Sequence, residues 1–128
     1  TFPMEQAKTT FLTSGTTTEA RGMHYFRSTK LYDHSIVSAW HELNLPDARR
    51  SVFLIAHPEQ SPQSSLSHMM GVISDQLATQ STWLLHQSGS IDYNSLISAI
   101  KDQHAVALFG TALSFMYRYM LLYIYFNL

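Results

Sequence analysis

Apolar and polar positions alternate in blocks along the chain, and each block has a recognisable period. Phe11 to Thr13 reads as a short strand, and Met23 to Phe26 as a second one. Between them lies the run TSGTTTEARG, rich in hydroxyls and glycine, so the pair predicts a hairpin closed by a polar turn. From Ser28 onward Tyr32, Ile36, Trp40 and Leu43 recur at helical spacing, with Val37 and Ala39 beside them, and Pro46 lies beyond the expected end. VFLIA, Val52 to Ala56, is a continuous apolar run too short for an independent helix. It suits a strand buried on both faces of a mainly parallel sheet.

The loop-like HPEQSPQSS leads into Leu66, Met69, Met70, Ile73 and Leu77, a second helical stripe. Thr82 to His86, TWLLH, returns to strand character. Asp92 is placed to cap a helix carrying Leu96, Ile97 and Ile100, with Lys101 near its end. Ala105 to Gly110, AVALFG, is the last predicted strand, and a helix is expected from Thr111. Strands alternating with helices imply an α/β fold, an open and mostly parallel sheet with flanking helices and right-handed crossovers.

Composition narrows the partners. A compact chain of 128 residues removes roughly two-thirds of its unfolded surface from water, which is enough for one core. Charged residues make up 13% against a usual quarter or so, so polarity comes mainly from Ser, Thr, Gln and His, and part of the surface is expected to be covered. The net charge is −1 and the cations are scattered, which argues against nucleic acid. Cysteine is absent, excluding disulfides and thiolate chemistry in these residues and making the cytoplasm the simplest expectation. The chain opens on Thr1 without a visible secretory signal and is expected to be a fragment. Arg118, Gly110, Thr111 and Ser114 interrupt the apolar C-terminal run, so no membrane span is expected. The aromatic set from Phe115 to Phe126 reads as core or interface.

A turn that holds polyphosphate needs backbone close to the oxygens and short side chains that donate without crowding. Gly15 allows positive φ and close approach, while Ser14, Thr16 and Thr17 each add a rotatable donor. No Walker A pattern is present, and a strand rather than a helix follows. The bland alternative is a Ser/Thr turn that only closes a hairpin.

A strand, TSGTT and a second strand resemble the phosphate loop of adenylate-forming enzymes, the superfamily of acyl-CoA ligases, nonribosomal peptide synthetase adenylation domains and luciferases. SLSHMMG, Ser65 to Gly71, resembles the family's second landmark, a His after a buried strand and its loop with Gly three residues later. SIDYNSLISAIKDQHAVALFGTA resembles the next block. TSGTTTEARGMHYF, LYDHSI and GTALSFMYRYM look closest to the acyl-protein synthetase group and its phenylacetate-CoA ligase relatives, over roughly Thr9 to Met120. The resemblance implies ATP-dependent activation of a carboxylate, a fatty or aryl acid, to an acyl-adenylate and its transfer to a thiol, CoA or protein. It assigns Thr13, Ser14, Gly15, Thr16, Thr17 and Thr18 to the β- and γ-phosphates of ATP, with Mg²⁺ on the same oxygens. His68 and Gly71 would border the acyl substrate, and Gly110 and Thr111 its tunnel. The family loop continues with Gly and a Pro-Lys pair, whereas Thr18, Ala20 and Arg21 stand here. The later aromatic-Gly-x-[Thr or Ser]-Glu loop, ribose Asp and distal Lys do not occur, so by this resemblance residues 1–128 are expected to be a slice of the large N-terminal domain. Alone it is expected to be inactive, the thiol acceptor site and the rest of the domain lying outside it. The competing class is a noncatalytic α/β module for phosphate binding or interaction.

Other chemistry is weaker. His34 and His41 could share a helix face, but H-E-x-x-H is absent, and two exposed polar residues are the simpler reading. His57, before Pro58, reads as a loop histidine satisfied by backbone. Ser88-Gly89-Ser90 lacks the nucleophile elbow and reads as a turn.

Overall fold

The computed structural model describes residues 2–13, 22–45, 48–102 and 106–116. A 3₁₀ turn, Met4–Gln6, precedes strands β1 (Thr9–Leu12) and β2 (Met23–Phe26). Helix α1 (Lys30–Glu42) follows, then β3 (Arg50–Leu54), α2 (Ser65–Gln76), β4 (Gln80–Trp83), α3 (Tyr93–Lys101) and β5 (Ala107–Gly110). Residues 112–116 are helical. The fold is α/β, as expected.

β1 and β2 form the predicted antiparallel hairpin, with Thr9 opposite Phe26 and Leu12 opposite Met23. It is closed by Thr13 N–H to the Gly22 carbonyl, 2.9 Å, and by Gly22 N–H to Thr13 Oγ1, 2.8 Å. The connecting turn, residues 14–21, lies outside the described residues. The second sheet is parallel throughout, in the order β4-β3-β5.

β3 is the centre of that sheet, and its alternation explains why VFLIA reads as a continuous apolar run. Phe53, fully buried, points to one face, where Met70 and Ile73 of α2 and Ile36 and Trp40 of α1 pack. Val52 and Leu54 point to the other, against Leu96 and Ala99 of α3. Successive strand side chains face opposite ways, so a strand with helices on both faces can expose neither set. Phe53 stacks between Trp83 and Phe109, at ring separations of 4.3 and 5.2 Å, and its truncation to Ala would cost about 3–5 kcal/mol.

β3 and β4 start earlier than the apolar pattern predicts, whereas β5 starts at Ala107 rather than Ala105. β3 begins at Arg50 rather than Val52, and β4 at Gln80 rather than Thr82, through the pairs Arg50–Gln80 and Ser51–Ser81. Ladder hydrogen bonds are made by backbone and do not require apolar side chains, so polar residues extend the strands at the amino end. β4 also ends early. Leu85 leaves the ladder to bridge Ile91 across the turn at residues 87–89, where Gly89 takes φ +80°. This is the turn expected for Ser88-Gly89-Ser90.

Two helical stripes are corrected. Leu43 does not belong to the buried face of α1 and is 69% exposed. The helix has already ended: Asn44 takes φ 47°, its N–H bonds the His41 carbonyl, and Leu45 N–H bonds the Trp40 carbonyl. That pair of bonds is a Schellman stop with Asn in the left-handed position. In α3 it is Leu96 and Ala99, both partly buried, that pack on the sheet, while Ile97 and Ile100 are exposed. The α2 stripe holds throughout, with Leu66, Met69, Met70, Ile73 and Leu77 on one cluster. Asp92 caps α3 as predicted, its Oδ1 accepting from Ser95 N–H at 3.0 Å. α2 is capped by Ser64, whose Oγ accepts from Ser67 N–H at 3.1 Å.

Candidate functional site

The loop between β3 and α2, residues 55–64, leaves the carboxyl end of the sheet. α2 and α3 lie on opposite faces, so the connections leaving neighbouring strands β3 and β4 diverge there. Such divergence opens the crevice in which open α/β sheets bind ligands. The hairpin docks on this loop through Leu12 N–H to the Gln63 carbonyl, 2.9 Å. An open cleft of about 840 Å³ runs between them, lined by Thr13 and His24 of the hairpin region, Tyr32 of α1, and Ser64 and Ser65 at the start of α2. A second cleft of about 550 Å³ is lined by Lys8, Thr10, Glu59, Ser61, Gln63 and His68.

His68 stands at the junction of three elements. Its Nε2 is 2.6 Å from Asp33 Oδ1 of α1. A carboxylate oxygen only accepts, so Nε2 carries the hydrogen and Nδ1 is left as the second polar atom of the ring. Asp33 is itself oriented by Thr29, whose hydroxyl donates to Oδ2 at 3.1 Å. The imidazole stacks on Tyr32 at 5.8 Å and 17°, and Phe11 of β1 packs against it at 5.2 Å. Phe26 closes the aromatic group against Phe11 and Tyr32. Asp33 and His68 are each about three-quarters buried, so their contact is shielded from bulk water. The Tyr32 phenol is pushed above its ordinary range, first by burial and then by the Asp33 carboxylate.

The sequence-predicted site residues fall in three places. Thr13 stands at the mouth of the larger cleft, and its Oγ1 accepts from Gly22 N–H, leaving the hydroxyl hydrogen to donate. Ser14, Gly15, Thr16, Thr17 and Thr18 lie outside the described residues. His68 lines the second cleft, close behind β1. Gly71 is one turn further along α2, where a Cβ would lie 2.7 Å from Pro58 Cγ, so its visible role is to let α2 approach the loop after β3. Gly110 ends β5 opposite Leu54, with Leu54 and Phe115 as its near neighbours. Thr111 caps the helical residues 112–116, its Oγ1 accepting from Ser114 N–H at 3.0 Å. Neither Gly110 nor Thr111 lines the clefts that Thr13 and His68 border.

Sequence reasoning missed Asp33, Tyr32 and Thr29. The four-residue spacing of Thr29 and Asp33 is a local hint that they share a helix face, but nothing local links Asp33 to His68, 35 residues away. His34 and His41 are exposed, and His57 Nδ1 accepts from Glu59 N–H at 3.3 Å. Among the described residues no cluster of three metal-ligating side chains occurs, and no helix is long and apolar enough to cross a membrane. Comparison of the chain with protein-family models, curated proteins and solved structures found no match.

Proposed function

We propose that this chain carries the phosphate-binding turn and the acyl-side histidine of an ATP-dependent, adenylate-forming acid–thiol ligase. The observation that supports the reading is the 5.2 Å packing of His68 on Phe11, two residues ahead of Thr13. Two stretches separated by more than fifty residues, each resembling a landmark of that superfamily, are thereby joined beside the clefts at the carboxyl end of the sheet. In such a ligase ATP supplies the phosphoanhydride whose cleavage drives attachment of the carboxylate, with Mg²⁺ offsetting charge on the departing pyrophosphate. The chain's own residues position and stabilise. Thr13 to Thr18 present hydroxyl and backbone donors that strengthen as negative charge develops, each worth a few kcal/mol at best. His68, held by Asp33, borders the carboxylate substrate, a fatty or aryl acid; the thiol acceptor, CoA or protein, belongs to the remainder of the ligase.

The test is ATP binding by the protein and by its Gly15→Val variant, followed by calorimetry, with circular dichroism as the check on folding. Saturable binding that is lost in a folded variant is the expected outcome, because a branched side chain removes both the close approach and the backbone freedom of the turn. Equal affinity of the two proteins overturns the phosphate assignment. Binding of ATP without carboxylate-dependent pyrophosphate exchange is expected of residues 1–128 by themselves; exchange is expected only of a ligase that also carries the later motifs. If that ligase also lacks exchange, the noncatalytic phosphate-binding reading replaces this one.

A further inference from the structure

The apolar stripe of α3 is wider than the sheet covers. Leu96 and Ala99 pack on Val52 and Leu54, whereas Ile97 and Ile100, on the adjoining strip of the helix surface, are 46% and 70% exposed. The direction of that strip follows from the opposite flank. Ser95, Ser98 and Asp102 line a small cavity with Gln80 and Thr82 of β4, so at about 100° per residue Ile97 and Ile100 lie on the β5 side of the helix. Leu108 of β5 is in register with Val52 and shares the α3 face, where it is 46% exposed. Among the described residues β5 is paired on one side only, so these three side chains leave an apolar ledge uncovered along the edge of the sheet.

The chain after β5 turns onto that same face. Gly110 is in register with Leu54, so a Cβ there would point to the α3 side, and it would lie 3.2 Å from Phe115 Cζ. Phe115 belongs to the helical residues 112–116, whose Leu113 and Met116 are exposed. The handedness of the fold agrees. α3 carries the chain from β4 across β3 to β5, and a right-handed connection continuing outward from β5 keeps to the face of α3.

We propose that residues 117–128, YRYMLLYIYFNL, dock on this ledge beside α3 and cover Ile97, Ile100 and Leu108. The segment follows Met116 directly and holds a single charged side chain, Arg118, among apolar and aromatic ones. A stretch that is apolar on every side calls for burial. At a helical rise of ~1.5 Å per residue its reach of about 18 Å exceeds the length of the 9-residue α3. The competing occupant is a second copy of the chain. The tether at Met116 favours the segment, because a short connection holds it at the ledge at an effective concentration on the order of millimolar. This docking does not depend on the ligase reading.

The sequence has no cysteine, so a single introduced thiol can be labelled cleanly. The test is paramagnetic relaxation in the ¹⁵N-labelled full chain carrying a nitroxide on Tyr119→Cys. The expected result is loss of amide signal at Ile97, Ile100 and Leu108, recovered when the nitroxide is reduced. The amides of Ser35 and Ser38 on α1, across the sheet, should keep their intensity. A nitroxide on Leu122→Cys should give the same pattern and decides the matter if Tyr119→Cys does not fold. Full intensity at Ile97, Ile100 and Leu108, or loss confined to α1, overturns the proposal. Equal loss in a mixture of nitroxide-bearing chain without ¹⁵N and nitroxide-free ¹⁵N-labelled chain also overturns it, since the ledge of one copy would then be covered by another.

Discussion

His68 Nε2 of α2 lies 2.6 Å from Asp33 Oδ1 of α1, and the pair ties two helices that are not joined by any strand pairing. Because both groups are largely withdrawn from water, removing either leaves the other unsatisfied in a shielded place. Asp33→Ala is therefore expected to destabilise the protein by about 1–3 kcal/mol. His68→Ala should cost at least as much, since it also removes stacking on Tyr32 and Phe11. A double-mutant cycle in urea should return a coupling of about 0.5–3 kcal/mol. Additivity of the two losses would show that the pair is not formed in solution.

Tyr32 supplies an alkaline limit. Its phenol is raised above the ordinary range in the folded chain, by burial first and Asp33 second. Stability from the neutral phenol is thus complete below the unfolded value near 10 and is lost as pH rises through the higher folded value. Ultraviolet titration of the wild type against Tyr32→Phe should reveal one phenol with a late midpoint. Asp33→Asn should bring that midpoint down only in part, because burial is the larger cause. A Tyr32 midpoint in the ordinary range would contradict the packing described here.

Asp92 sets an acid limit of the opposite sign. Its carboxyl is held below the usual range by the Ser95 hydroxyl and then the Ser95 N–H, bonds of 2.6 and 3.0 Å. The cap's stability is present above the unfolded value of 3.8 and is lost as pH falls through the lower folded value. Carboxyl ¹³C titration should show a depressed midpoint that moves up in Ser95→Ala. Asp92→Ala should lower the melting temperature, with amides of α3 losing protection first, whereas Asp92→Asn should keep part of the cap. Unchanged protection of α3 in Asp92→Ala would remove the cap from the account of this helix.

Gly71→Ala tests close packing. In an ordinary helix interior this exchange gains about 1 kcal/mol. Here the added methyl meets Pro58 Cγ at 2.7 Å, and a proline ring cannot swing aside, so a net loss of about 1–2 kcal/mol is expected by denaturant unfolding. A gain would mean that the loop after β3 yields freely.

Much of the fold is legible in the sequence because its signals are local. The continuous run at Val52 specifies a strand covered on both faces, and Asp92 specifies a helix start from its own side chain. The α2 stripe also holds residue for residue. Leu43 and Ile100 mislead because apolarity alone does not say where a helix stops or how much of its face a three-stranded sheet can cover. Asn44, the residue that stops α1, is of a type that tolerates the left-handed conformation, and it stands two positions ahead of Pro46.

The candidate site divides along the same line. The chain by itself determined the hydroxyl-rich hairpin turn, the position of His68 after a loop, and the alternation of strands and helices, since each depends on residues a few positions apart. Only the tertiary structure decided that Asp33 orients His68, that Phe11 brings that histidine to the hairpin, and that Arg50 Nη1 is buried without an acceptor among the described residues. Those relationships join residues tens of positions apart. They exist only once burial of Phe53 and its neighbours has closed the loops between them, and hydrophobic burial is non-directional, so no short stretch of sequence encodes which polar groups it brings face to face.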